Sequence, residues 1–276
     1  MVSRIPLVGA SVTSVQLGAA IAASLFHRLG APGTVLLRQG LAAAVLLAIA
    51  RPGLAGRPRR DWRVVFVFGV VLAAMNVCFY EAVARLPLGI AVTIELFGPL
   101  GLAAALSRTA REWGYVTLAV VGVVLLGGAT HRLDRIGVVF ALAAAIGWAS
   151  YILLSRRTGR SFDGVDGLAL AMVVATFAVA PFGIATGGAR LIQPGALATG
   201  FAVAMLSAAI PFSLELHALR AVGPRTFGVV MSTSPAIAAA MGWVVLGESL
   251  GPLQAAAIAS VVVASAGTAL ATDVST

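Results

Sequence analysis

The sequence has one cysteine, Cys78, three scattered histidines at 27, 131 and 217, and no lysine: all 19 basic residues are arginines. A lone cysteine cannot form an internal disulfide and is no metal site, and the histidines show no zinc or HExxH spacing. No metal or cofactor is therefore expected, and no nucleophile–base cluster of an enzyme is visible. Charge is also scarce. Asp, Glu, Lys and Arg make up 11% of the 276 residues, less than half the ~25% usual in soluble domains. The net charge of +9 comes with no dense basic helix and no RNA-binding signature, and the arginines lie between apolar runs, so a nucleic-acid partner is not expected. Long loops are missing too. The longest polar link, RPGLAGRPRRDWR, spans residues 51–63, so no soluble domain fits and the helices themselves must perform any function.

What is present is apolar sequence. Apolar residues fill 60% of the chain, the mean hydropathy is +1.01, and these residues come in runs. A bilayer core about 30 Å thick needs roughly 20 apolar residues per helix. Ten such segments can be read, at 5–26, 33–50, 64–84, 88–107, 112–130, 135–155, 164–187, 196–218, 224–246 and 252–271. The first is longer than a signal-peptide core and is read as an uncleaved span. Pro87, Pro194, Pro224 and Pro252 sit near segment starts, where a missing N–H costs nothing. The fold class expected is an all-α membrane protein of ten transmembrane helices.

Arginine counts set the orientation. On the side of the N-terminus lie Arg4, Arg51, Arg57, Arg59, Arg60, Arg63, Arg108, Arg111, Arg156, Arg157, Arg160, Arg220 and Arg225. The other side holds Arg28, Arg85, Arg132, Arg135 and Arg190. Thirteen against five puts both termini in the cytoplasm. An offset of 136 residues lays Pro99 on Pro235 and Glu112 on Glu248, so the prolines interrupt spans four and nine. With five spans per half, the second half starts from the opposite side. Two inverted five-helix repeats, 1–134 and 135–276, follow, and inverted repeats with interrupted helices place a site near the midplane between them.

An ionisable group at mid-membrane costs about 2.5–3.5 kcal/mol on the insertion scale, so those inside spans are the sharpest signals. Glu95 lies near the middle of span four, and Pro99 cannot donate to its carbonyl. The same turn thus presents a carboxylate and a freed acceptor, suited to an ammonium group or a proton. The plainer reading has Glu95 pairing with Arg38 to hold helices two and four together. Arg38 suits a substrate carboxylate by a bidentate pair, or else snorkels to the surface. In span eight Pro211 frees the Ser207 carbonyl, and Glu215 is either a second proton site or the partner of Arg220 or Arg225. In span nine Ser232, Thr233 and Ser234 precede Pro235, and their hydroxyls can satisfy the groups the kink frees. Pro99, Pro211 and Pro235 are read as hinges. Gln16, Asn76 and Tyr80, with Trp148 and Tyr151, complete the candidate substrate-binding set alongside Arg38, Glu95 and Ser234; helix glue and packing are the alternatives.

These same residues carry a resemblance. MNVCFYEAVARLPLGIAVTIELFGPLGLAAALSR and IPFSLELHALRAVGPRTFGVVMSTSPAIAAAMGWVVLGESLGPLQ resemble matching regions of the two halves of EamA-type transporters, in the drug/metabolite transporter superfamily. PLGIAV followed by Glu95 and Gly98–Leu100, then Arg225–Gly228, Pro235–Ala236 and Leu246–Glu248, are similar in order to the bacterial threonine and homoserine exporters. The resemblance implies a ten-span inner-membrane exporter that exchanges protons for a small amphiphilic metabolite, with the lipid bilayer as its surroundings. One departure stands out: the family pattern has a glutamate just before the span-nine proline, where this chain has Ser234. Another solute on the same fold, and a non-transporting membrane scaffold, are the competing readings.

Overall fold

A computed structural model describes residues 5–53, 56–106, 114, 117, 121, 134–162, 165–211 and 230–271. Among them every regular element is helical. Helix α1 (Ile5–Ala23) leads through a tight turn into α2 (Phe26–Ala50), which kinks at Gly30 ahead of Pro32 and ends where Arg51 turns left-handed. Then come α3 (Arg59–Val83), α4 (Leu88–Glu95), α5 (Phe97–Leu106) and α6 (Arg135–Thr158). Asp134 caps α6, its Oδ1 accepting from the Ile136 and Gly137 amides, and Arg156 and Arg157 occupy the last turn; both ends suit the helix dipole. Helix α7 (Asp166–Gly187) runs through a 3-10 turn (Gly188–Ile192) to α8 (Pro194–Ala204) and a π turn (Met205–Ala209). Helices α9 (Ser234–Leu246) and α10 (Pro252–Ala271) close the described chain.

Helices α1, α2, α3, α6 and the run from Asp166 to Ile192 are long and apolar enough to cross a membrane. They coincide with spans one, two, three, six and seven of the sequence reading to within a few residues at most ends; α2 includes a short piece from Phe26 that non-helical Gly30 (φ 70°, ψ 165°) separates from the helix carrying span two. Most of span five, the end of span eight and the start of span nine lie outside the described residues. Phe177, Phe182, Ile146 and Trp243 are each more than 60% exposed on the outer surface. In lipid, an apolar exterior of this kind is matched by its solvent, and only the backbone must be satisfied internally.

Helix α2 packs along α7, α3 lies against α6 and α7, and α9 packs on α1 and α4. Small residues allow these approaches. The closest is at Gly98, where a Cβ would lie 2.0 Å from the Ala145 carbonyl oxygen of α6. The links sort onto two ends. At one end Arg57 Nη1 donates to the Ser161 carbonyl (2.8 Å), tying the α2–α3 link to the α6–α7 link. At the other, Arg190 Nη1 donates to the Arg28 carbonyl (3.2 Å), and Arg85 reaches both Glu81 and Asp134. The first end carries Arg51, Arg57, Arg59, Arg60, Arg156, Arg157 and Arg160.

Three irregularities follow from proline. Span four is broken in two at Leu96, three residues before Pro99. Span nine turns at Ser232 and Thr233, and Pro235 sits in the first turn of α9. The π turn ends two residues before Pro211. Each time the proline removes a donor, and the backbone rearranges in the turn before it.

Candidate functional site

Between the helices lies a cavity of about 610 Å³. Of the sequence-derived candidates, Gln16, Arg38, Asn76, Tyr80 and Glu95 line it, and so do Trp148, Tyr151 and Ser234. Pro99 and Pro211 border it as well, whereas Pro235 does not line it. Glu215 lies outside the described residues. Side chains from α1, α2, α3, α4, α6 and α9 therefore meet at one place, although the sequence separates them by up to 218 positions (234 − 16).

Arg38 does not pair with Glu95. Its Nε donates to Ser207 Oγ (3.2 Å), its Nη1 donates to Asn76 Oδ1, and its guanidinium carbon lies 5.6 Å from the Tyr80 ring centre. Nor does it snorkel: it is half-buried and faces the cavity. The Asn76 amide is oriented by its other end, where Nδ2 donates to the Leu72 carbonyl one turn back (2.8 Å), so its oxygen must face the arginine. Tyr80 is 2% exposed and packs against Phe26 and Phe79. The guanidinium is thus held through Nε and Nη1 by two neutral acceptors and lies near an aromatic face. Its Nη2 makes no hydrogen bond among the described residues, which leaves donors for a planar anion.

Glu95 is the last residue of α4, beside the break at Leu96, and its carboxylate makes no ion pair among the described residues. Gln16 is 7% exposed, and its Oε1 is buried with no hydrogen-bond partner among them. The cavity therefore presents a cation, a carboxylate and an unsatisfied amide oxygen, and the two charges form no ion pair with each other. An unsatisfied buried polar atom is costly, which marks a place where a ligand group or a water would be favoured.

The hydroxyls before Pro235 behave as their chemistry dictates. Thr233 Oγ1 donates to the Val230 carbonyl and Ser234 Oγ to the Met231 carbonyl, each at 2.6 Å. Ser234 is 3% exposed and still borders the cavity. Ser207 is the residue that sequence reasoning missed as a partner of Arg38. The π turn carries it, Ser14 Oγ donates to the neighbouring Leu206 carbonyl (2.7 Å), and Gly18 of α1 leaves room for both. Pro211, four residues on, was the available signal, because a proline marks the turn before it as irregular.

The profile of the EamA-like transporter family matches residues 135–270. The threonine/homoserine exporter RhtA of Escherichia coli (strain K12) is 38% identical over 263 residues, covering 94% of this chain and 89% of its own. Its namesake from Salmonella typhimurium (strain LT2) is 37% identical over the same coverage. The uncharacterized transporter YwfM of Bacillus subtilis (strain 168) is 24% identical over 201 residues, 69% of this chain and 68% of that one. A solved crystal structure at 20% identity superposes with a TM-score of 0.65 and covers 98% of each chain, which speaks for the fold. Helical throughout its described residues, apolar, and matched over nearly its whole length by the two threonine/homoserine exporters, the chain belongs to the EamA-like transporter family.

Proposed function

We propose that the chain is a multi-pass inner-membrane exporter of small amino acids of the threonine and homoserine kind, working by alternating access in exchange for protons. The observation that carries this reading is that Arg38 and Glu95 face one cavity without pairing to each other. A zwitterion is the solute that such a site matches. Its carboxylate meets the unbonded Nη2 of Arg38, and its ammonium meets Glu95. When the solute leaves, Glu95 takes a proton, so the carboxylate is never left bare in a medium that penalises charge. Asn76, Ser207 and Tyr80 hold the guanidinium so that little ordering is needed on binding. Gln16 Oε1 accepts from the substrate ammonium or hydroxyl. Trp148 and Tyr151 wall the cavity, and Ser234 stands where the family pattern has a glutamate.

In this reading the chain has ten spans in two inverted repeats, 1–134 and 135–276, with both termini in the cytoplasm. The arginine-rich end and the family match beginning at Arg135 support it. The halves rock around the site, with Pro99, Pro211 and Pro235 as hinges. Glu215 is a second proton carrier.

Counterflow in proteoliposomes tests the proposal. Labelled threonine or homoserine should accumulate against an unlabelled internal pool, and an imposed proton gradient should drive net flux. Absence of counterflow with these amino acids, together with flux of an aromatic cation or another solute, would overturn the substrate class.

A further inference from the structure

The lining of the cavity runs through Leu46 of α2, Tyr151 of α6 and Leu168 of α7 toward the arginine-rich end, and the other way it reaches Ala19 of α1 and Tyr80 of α3. At the opposite end the first residues of α4 meet the last turns of α9 within a buried apolar layer that includes Ala20, Leu88, Ile90 and Ala238. None of these four borders the cavity. Among the described residues one polar contact crosses the layer: the Leu88 amide, first in α4, donates to Glu248 Oε2 at 2.9 Å. Glu248 belongs to the α9–α10 link, so a carboxylate from the second half caps a half-helix of the first.

The local sequence is shaped for this contact. Gly247 takes a left-handed conformation (φ 69°) that ends α9 and folds the chain back, so that the Glu248 amide donates to the Gly242 carbonyl (3.1 Å). Gly242 leaves the space in which the carboxylate lies; a Cβ there would sit 2.2 Å from Oε2. Burial pushes the Glu248 carboxyl above the ordinary carboxylate range, and the Leu88 N–H works against that push. A negative group at the α4 N-terminus also meets the positive end of the helix dipole. The opposite end of α4, about 10 Å away by helical rise, is Glu95.

We propose that the Glu248–Leu88 contact is a clasp between the halves, which positions α4, and Glu95 with it, and which must open for the cavity to be reached from the end remote from the arginine-rich loops. This rests on the transport reading above, since a clasp that opens has a purpose only in alternating access. While the clasp is made, the amide at the head of α4 is satisfied inside the apolar layer. Without it, that amide is left unpaired, and the layer is held by apolar packing alone.

Thiol labelling of the full-length chain tests this. A cysteine replaces Ala19, which lines the cavity and packs in the same layer, in a Cys78→Ala background. A membrane-impermeant maleimide is applied separately to intact cells and to inside-out vesicles. Glu248→Ala should raise the labelling rate at position 19 at least fivefold from the clasp side and leave the other side unchanged. Glu248→Gln, which keeps an acceptor oxygen, should change it less than twofold. Leu88→Pro removes the donor at a helix position that tolerates proline and needs no folding of the Glu248 variant. It should reproduce the rise, whereas Leu88→Ala, which keeps the donor, should not. Unchanged labelling in both Glu248→Ala and Leu88→Pro, or a rise confined to the arginine-rich side, would overturn the clasp. Labelling does not depend on flux, so a failure of counterflow in the parent protein would count against the transport reading alone.

Discussion

The two broken helices of this protein share a design and differ in what they do with it. In α4–α5 and in the segment leading into α9, a proline lies within the first three residues of the second piece, and the break falls just before it. In the second half the turn is closed by its own side chains, since Thr233 and Ser234 donate to the carbonyls of Val230 and Met231. In the first half no hydroxyl fills that place. Glu95 stands there four residues before its proline, and the corresponding position in the second half is Met231. Both Glu95 and Met231 border the cavity. One break is therefore satisfied from within, and the other presents a carboxylate to the cavity.

Substitutions at the two breaks put this contrast at risk, and the largest effect should come from the carboxylate. Glu95→Gln should lower counterflow more than tenfold and flatten its response to pH, while Met231→Leu should retain most of it. Equal losses would mean that the breaks are interchangeable. Next is Arg38→Lys, which keeps the charge and loses the planar fork that bonds Asn76 and Ser207. A rise in KM of about 10- to 150-fold, with kcat changed less, is expected from loss of one charge-assisted bond worth about 1.5–3 kcal/mol; an unchanged KM would remove Arg38 from substrate binding. Third, Gly98→Ala drives a methyl group into the Ala145 carbonyl and should destabilise the detergent-purified protein by about 1–3 kcal/mol. Gly101→Ala, one turn further and open to space, should be neutral in the same melting experiment. The smallest effect is expected of Ser234→Ala, which removes one local hydroxyl bond worth about 0.5–1.5 kcal/mol. Its melting temperature should fall slightly and its counterflow should stay near that of the parent protein. A large loss of flux would show that Ser234 touches substrate.

Much of the architecture was legible because the bilayer imposes it. Spans one, two, three, six and seven are visible in composition, since an apolar run of the right length has few other uses. Pro99, Pro211 and Pro235 announced their irregular turns because a missing N–H acts locally. The partner of Arg38 was not legible. Opposite charges in neighbouring spans invite a pairing, yet the guanidinium found Asn76 and Ser207, and this depends on how α2 leans toward α3 and toward the π turn. The role of Ser207 and the reach of Glu248 to Leu88 join residues 169 and 160 positions apart, and no periodicity carries such information.

The amino-acid sequence by itself determined that this chain is helical and apolar outside, where its helices break, and which rare polar groups are carried into the apolar interior. These are properties of local segments and their solvent, so composition and spacing suffice. Only the tertiary structure decided that those groups share one cavity, that Glu95 and Arg38 stay apart within it, and that Glu248 of one half holds the head of α4 in the other. Side-chain pairings of this kind depend on the packing angle and depth of whole helices, which many small contacts fix together and no single stretch of sequence encodes.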